Sequence, residues 1–110
     1  MERCGKCLLV CILAAFMVAP ALAQEDGAAI YKSKCARCHG EDGMSRTFEG
    51  KMTKAAVFSD PEIVKMPDAD LTAVIKGGKK KMPAFGKKLS DDQVASVLAY
   101  VHTLQKQPSN

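Results

Sequence analysis

The stretch Cys35-Ala36-Arg37-Cys38-His39 constrains this chain more than any other part of it. Two thiols separated by two residues can each add to a vinyl group of a haem. Positions i, i+3 and i+4 lie on the same side of a helical turn, so Cys35, Cys38 and His39 would face one haem, with His39 bound to its iron. The motif therefore predicts covalent attachment of one haem.

The same spacing also occurs in redox dithiols and in half of a zinc site. A complete zinc site uses about four cysteine or histidine ligands. The other cysteines, Cys4, Cys7 and Cys11, lie in a segment that we expect to be removed, and the other histidine is His102. A dithiol and a metal half-site stay open as alternatives, although the chain supplies few partners for either.

Residues 1–23 have the pattern of a secretory signal peptide. Two basic residues precede an uncharged apolar run over residues 7–19, and Ala21-Leu22-Ala23 forms a small-x-small cleavage site. The apolar run is shorter than the ~20 residues of a membrane-spanning helix, which argues against an uncleaved anchor. We therefore expect export to the periplasm or another oxidising compartment, with no membrane insertion after cleavage.

Cleavage would leave residues 24–110 as a single small domain. An apolar core is marginal at this length, so an attached haem would form part of the core. The formal net charge of +4 falls to +3 with the loss of Glu2, Arg3 and Lys6, which together carry +1. Two haem propionates would bring it to about +1. So small a charge does not suggest a nucleic-acid partner, and we expect a monomer.

The first helix is predicted immediately before the motif. Asp26 is a candidate N-cap for a helix that begins at Gly27 and runs into Cys35. Gly27 and Tyr31 share a face of this helix, which would let another helix approach closely at the glycine. Periodicity then fades over residues 40–59, which predicts an irregular loop along one edge of the cofactor. Its apolar residues are expected to line the core or the haem: Met44, Phe48, Met52, Val57 and Phe58.

Three further helices are predicted towards the C-terminus. One begins at Asp60, and a second begins at Asp68 and stops at Gly77-Gly78. The last follows Ser90, which forms a capping box with the residue three positions on. Its apolar positions recur at helical spacing: Val94, Val97, Leu98, Val101 and Leu104. The fold class is therefore all-α, with about four helices around one covalently attached haem.

A haem iron bound to histidine on one side needs a ligand, or an open position, on the other. Met82 is the candidate, because it follows a basic run and precedes a proline, which has no N–H and a restricted φ. Met66 also precedes a proline and is the rival. It lies against the start of the helix that begins at Asp68, where a core contact is expected. His102 lies on the flank of the last helix, where a histidine at the surface or one with satisfied hydrogen bonds is expected.

With these features the chain resembles a small class I cytochrome c of the bacterial single-haem type. The resemblance covers nearly all of the chain after residue 23. The positions that carry it are Gly27, Tyr31, Cys35, Cys38, His39, Gly78, Met82, Pro83, Phe85 and Tyr100. It implies that the first and last helices cross, that His39 is the proximal ligand and that Met82 is the distal ligand.

The chain departs from that family at one point. Many members have a proline soon after the motif, whose carbonyl accepts a hydrogen bond from the proximal imidazole. Here no proline lies between His39 and Pro61. The resemblance therefore assigns no acceptor for the N–H of His39.

An iron with both axial positions filled by the protein has no open site, which indicates a one-electron carrier between redox complexes. Lysines near Met82 would steer an acidic redox partner or would only solvate their loop; they are Lys79, Lys80, Lys81, Lys87 and Lys88. The alternatives are a peroxidase-like enzyme and a gas sensor in which Met82 leaves the iron. Both need an open iron, and an enzyme also needs acid–base groups that the motif's surroundings do not supply.

Overall fold

The computed structural model describes residues 26–106, which form six helices and contain no strand. The helices are α1 (Gly27–Lys34), α2 (Ala36–His39), α3 (Phe48–Thr53), α4 (Pro61–Val64), α5 (Asp68–Gly77) and α6 (Asp91–Gln105). The all-α prediction is confirmed. The predicted signal peptide and its cleavage site lie outside the described residues. Within residues 26–106, every helix is too short or too polar to cross a membrane.

Two short helices account for the difference between six helices and the expected four. The motif forms α2 as a separate turn, because α1 ends at Lys34 and Cys35 has φ −116°. Helix α3 lies inside the segment predicted as an irregular loop, so that prediction is wrong over residues 48–53. The side chain of Thr47 accepts the Gly50 N–H at 2.9 Å and starts this helix, and Lys54 ends it in a left-handed conformation.

Three of the predicted helix ends are confirmed by the hydrogen bonds and dihedral angles found there, whereas Asp60 precedes α4 without a side-chain capping bond. Asp26 accepts the Ala28 N–H at 3.1 Å. Ser90 accepts the Gln93 N–H at 3.1 Å, and the Gln93 side chain accepts the Ser90 N–H at 2.8 Å. Gly78 ends α5 with φ 76°. Each of these ends is specified by residues within one turn of it.

Helices α1 and α6 cross at the centre of the core. A Cβ atom added to Gly27 would overlap the backbone carbonyl of Ser96, so the two helices touch at this glycine. One turn further on, the buried ring of Tyr31 lies 5.2 Å from the ring of Tyr100, measured between centroids. The crossing implied by the resemblance is confirmed. The core around it contains Ile30, Tyr31, Phe58, Phe85, Leu89, Val94, Val97, Val101 and Leu104.

Helix α5 packs against α6 in the opposite direction, with a polar contact at each end. Lys76 near the end of α5 forms an ion pair with Asp91 at 2.6 Å, and Asp68 at its start lies 2.8 Å from His102. No residue of α5 is fully buried. Its apolar residues at helical spacing are only half-buried: Leu71, Val74 and Ile75. The face of α5 is therefore incompletely covered by the protein.

Candidate haem-binding site

Helix α2 brings the three residues of the motif together on one turn. The N–H groups of Cys38 and His39 both donate to the carbonyl of Cys35, at 3.2 and 3.0 Å. This is the i, i+3, i+4 arrangement that the spacing predicts, with all three side chains on the same side. Cys35 and Cys38 are half-buried and form no disulfide. Both thiols are therefore free to form thioether bonds.

The environment of Cys35 differs from that of a catalytic dithiol. Burial raises the pKa of this thiol to about 11; Lys34 opposes the shift and Cys38 adds to it. Reactive dithiols instead have a thiol whose pKa is lowered so that the thiolate forms. Among residues 26–106, no three His, Cys, Asp or Glu side chains are grouped as a zinc site would require.

The imidazole of His39 is held in a single orientation. Its Nδ1 lies 3.0 Å from the Ala56 carbonyl, which can only accept, so Nδ1 carries the proton and Nε2 keeps its lone pair. The Phe58 ring stacks on the imidazole, with centroids 4.6 Å apart and planes 28° from parallel. Burial lowers the pKa of His39, and the bond to Ala56 opposes this only partly. His39 is thus a neutral imidazole with Nε2 available to a metal.

Hydrogen bonds to backbone carbonyls hold the motif from two sides. The buried hydroxyl of Tyr31 donates to the Gly40 carbonyl at 2.6 Å, and burial raises its pKa. The hydroxyl of Thr47 donates to the Arg37 carbonyl at 2.7 Å and also lies 3.1 Å from the Cys38 carbonyl oxygen. These bonds satisfy the carbonyls that the end of a short helix leaves free. The sequence singles out Tyr31, whereas the bonds from Thr47 to the motif have no recognisable signal because they span about ten residues.

Met82 lies in a tight turn that follows α5. The N–H of Met82 donates to the Lys79 carbonyl at 2.9 Å, and the N–H of Lys79 donates to the Met82 carbonyl at 3.2 Å. Lys80, between them, is in the left-handed region with φ 53°. Met82 is half-buried and packs against the main core, as Cys35 does, whereas Met66 is not among the described residues packed there. The structure therefore places Met82 at the core, and the core contact expected for Met66 is not found among the described residues.

Helix α3 borders both parts of this site. It contacts α2 at Gly50, where an added Cβ would overlap the Cys38 carbonyl. At its other side, the Lys81 ammonium lies 3.4 Å from the Met52 carbonyl. Helix α3, in the segment predicted to be an irregular loop, thus connects the motif with the turn that carries Met82.

The chemistry of these residues fits a haem. Two free thiols, an imidazole with a free Nε2 and a thioether form the donor set of a c-type haem with two protein ligands. The porphyrin also needs apolar walls, and large apolar side chains of the described chain are left exposed: Phe48 by 75%, Met52 by 60% and Val64 by 52%. Met52 is therefore not a residue of the protein core, and its role in lining the haem stays a prediction.

His102 is not part of this site. Its Nε2 lies 2.8 Å from Asp68 Oδ1 and its Nδ1 lies 2.7 Å from Gln105 Oε1. His102 is partly buried and both of its ring nitrogens have partners, so the prediction of a histidine with satisfied hydrogen bonds is confirmed.

Comparison with known proteins gives a consistent result. Residues 22–101 match the family model described as cytochrome c oxidase, cbb3-type, subunit III. A cytochrome c6 of Synechococcus sp. is 34% identical over 97 residues, which cover 86% of this chain and 83% of the relative. The cbb3-type cytochrome c oxidase subunit CcoP of Azospirillum brasilense is 34% identical over 86 residues, covering 76% of this chain but only 29% of the subunit. Among solved structures, the KustC0563 c-type cytochrome superimposes with a TM-score of 0.67 at 31% identity, covering 74% of this chain and 99% of that one.

Proposed function

This chain belongs to the c-type cytochrome family. We propose that it is a mono-haem one-electron carrier. Cys35 and Cys38 attach the haem, and His39 and Met82 bind its iron. The observation that carries this proposal is the 3.0 Å hydrogen bond from His39 Nδ1 to the Ala56 carbonyl. Because this bond directs the proton to Nδ1, it leaves Nε2 free on the same turn as two free thiols.

The chain's own residues suit it to electron transfer. When bound, the haem supplies an iron that alternates between the ferric and ferrous states. Ala56 and Phe58 hold the His39 ring, and two backbone hydrogen bonds close the turn that presents Met82. A thioether ligand favours ferrous iron and raises the reduction potential. Two axial ligands from the protein leave no position for a substrate, which supports electron transfer rather than catalysis.

The ligand assignment is tested by comparing Met82→Ala with Met66→Ala in the holoprotein. Wild-type ferric protein should show the weak charge-transfer band of iron bound to a thioether, and the ferrous form should not bind carbon monoxide. Met82→Ala should lose the band, bind carbon monoxide and have a lower potential, whereas Met66→Ala should keep the wild-type properties. Loss of the band in Met66→Ala, or ready binding of carbon monoxide by the wild type, would refute the assignment.

The lysines around Met82 form a basic surface that would meet an acidic redox partner. All five are exposed, and in the described part of the chain none of them forms an ion pair: Lys79, Lys80, Lys81, Lys87 and Lys88. Charges that are not neutralised within the protein raise the association rate with an oppositely charged partner. Redox partners are thus part of the proposal, with this surface as their docking site.

An anionic oxidant tests this surface without a known partner. Ferricyanide should oxidise the ferrous protein more slowly after Lys80→Glu than after Lys106→Glu, which makes the same change in net charge immediately after α6. The difference should shrink as ionic strength rises. Equal rates for the two variants at low salt would argue that the basic residues only solvate their loop.

Export of the chain and the domain boundary at residue 24 are also part of the proposal. The leader pattern of residues 1–23 supports both, and these residues lie outside the described range. N-terminal sequencing of the exported holoprotein should begin at Gln24, and its sedimentation should give the mass of a monomer. A retained leader or a larger species would contradict this part alone.

A further inference from the structure

The Ala56 carbonyl accepts two hydrogen bonds, one of which is not from the imidazole. Its oxygen lies 3.0 Å from His39 Nδ1 and 2.7 Å from the hydroxyl oxygen of Ser45. The second distance is ordinary for an O–H···O hydrogen bond, in which the hydroxyl donates. The acceptor of the imidazole proton is therefore shared with a side chain that the motif does not include.

Ser45 is held in a fixed position beside the Ala56 carbonyl. It is 8% exposed, and its backbone N–H donates to the carbonyl of His39 at 2.8 Å. Its backbone has φ 55°, a left-handed conformation that costs energy for a residue with a Cβ. The loop after the motif thus returns to His39 through a strained residue whose backbone and hydroxyl are both engaged. Such strain is commonly found at functional positions.

We propose that Ser45 is a positioning residue that tunes the reduction potential of the haem through the hydrogen bond between His39 and Ala56. The proposal rests on His39 being the proximal ligand. Two donors on one carbonyl oxygen share its electron density, so the Ser45 hydroxyl weakens the bond that His39 makes with it. A weaker bond at Nδ1 leaves the imidazole less electron-rich and the ferrous state relatively favoured. Ser45 therefore holds the potential above the value set by Ala56 alone.

Two substitutions at this position separate the hydroxyl from the backbone. Ser45→Ala and Ser45→Gly both remove the hydroxyl, but glycine relieves the left-handed strain and alanine keeps it. Ser33→Ala is the control, because its hydroxyl donates to the Ile30 carbonyl within α1. The measurements are the midpoint potential of each holoprotein and the proton resonance of His39 Nδ1–H in the ferrous state.

Both variants at position 45 should shift the potential in the negative direction by similar amounts, although Ser45→Gly should be the more stable protein. In both, the Nδ1–H resonance should move downfield, as a stronger hydrogen bond requires, and Ser33→Ala should leave both properties unchanged. A potential unchanged in both variants, a shift seen with alanine but not glycine, or an unmoved Nδ1–H resonance would each overturn the proposal.

These outcomes are distinct from failure of the proposed function. If the variants and the wild type keep the thioether charge-transfer band but share one potential, the ligands stand and the role of Ser45 is wrong. If His39→Ala yields a holoprotein with the band and potential of the wild type, His39 is not the ligand and both proposals fail.

Discussion

Gly27 shows how a single missing side chain decides the packing of two helices. The atom that an added Cβ would meet is the backbone carbonyl of Ser96, which cannot rotate away as a flexible side chain could. An added methyl group must therefore push α1 and α6 apart along their whole crossing. The rings of Tyr31 and Tyr100 lie one turn further along the same contact and would separate with it.

Gly27→Ala should accordingly lower the free energy of unfolding by about 1–3 kcal/mol, the usual cost of overpacking a core. Gly77→Ala is the matched control, because an added Cβ there meets no atom within 4 Å. That substitution should be neutral or stabilising by at most about 1 kcal/mol. Denaturant unfolding of the holoproteins measures both values, and equal stability of the two variants would show that the crossing can adjust.

At the scale of elements, the α5–α6 pair has a titratable contact at one end. Both ring nitrogens of His102 face oxygen atoms, of Gln105 and of Asp68, so both nitrogens can donate only when the ring is protonated. The hydrogen bonds with Gln105 and then Asp68 raise the pKa of His102, while burial and Lys106 oppose the shift. At the other end of the pair, Lys76 lowers the pKa of Asp91, so this carboxylate stays ionised across neutral pH.

Because the pKa of His102 is raised by folding, its stabilising effect is complete below the unfolded value of about 6.5 and is lost as pH rises through the folded value. The melting temperature of the holoprotein should therefore fall as pH rises from 6 through 8. Asp68→Asn should flatten this dependence, whereas Asp70→Asn on the same helix should retain it. A profile that Asp68→Asn leaves unchanged would show that Asp68 does not contribute to the pH dependence.

At the scale of the whole molecule, residues 26–106 leave part of their own apolar surface uncovered. The α1–α6 crossing is well buried, but α5 has no fully buried residue and Phe48 on α3 is 75% exposed. A domain this small has little other core with which to offset the entropy of folding. The haem is therefore expected to complete the fold as well as to carry the electron.

Replacing both Cys35 and Cys38 by alanine should consequently yield no holoprotein and a largely disordered chain. In the wild type, the haem should stay with the polypeptide through acid–organic extraction. Far-UV and near-UV circular dichroism of the haem-free variant measures the loss of structure, with the Ser33→Ala holoprotein as reference. A native-like spectrum without haem would show that the α1–α6 core folds alone, and extractable haem in the wild type would disprove attachment.

Much of the fold could be predicted from the sequence because it depends on residues close together in the chain. The caps at Asp26 and Ser90 and the glycine stop at Gly78 each act within about one turn. The spacing of the motif has the same local character, but it does not predict the separate turn of α2, since the first helix is expected to run into Cys35. The roles assigned to its residues and to Met82 remain predictions that rest on chemistry and on family resemblance.

Only the tertiary structure decided how those residues are held. Ala56 lies 17 residues from His39, and Ser45 lies 11 residues from Ala56. No local pattern therefore predicts that His39 and Ser45 both bond to the Ala56 carbonyl. Helix α3 was not predicted although its cap bond from Gly50 to Thr47 is local. The contacts that hold it against the motif span a longer stretch of chain: Gly50 packs against the Cys38 carbonyl twelve positions away, and the Thr47 hydroxyl donates to the Arg37 carbonyl. Short-range spacing determines which groups the chain presents. Hydrogen bonds between distant segments determine the orientation of those groups, because such bonds exist only once the chain has folded.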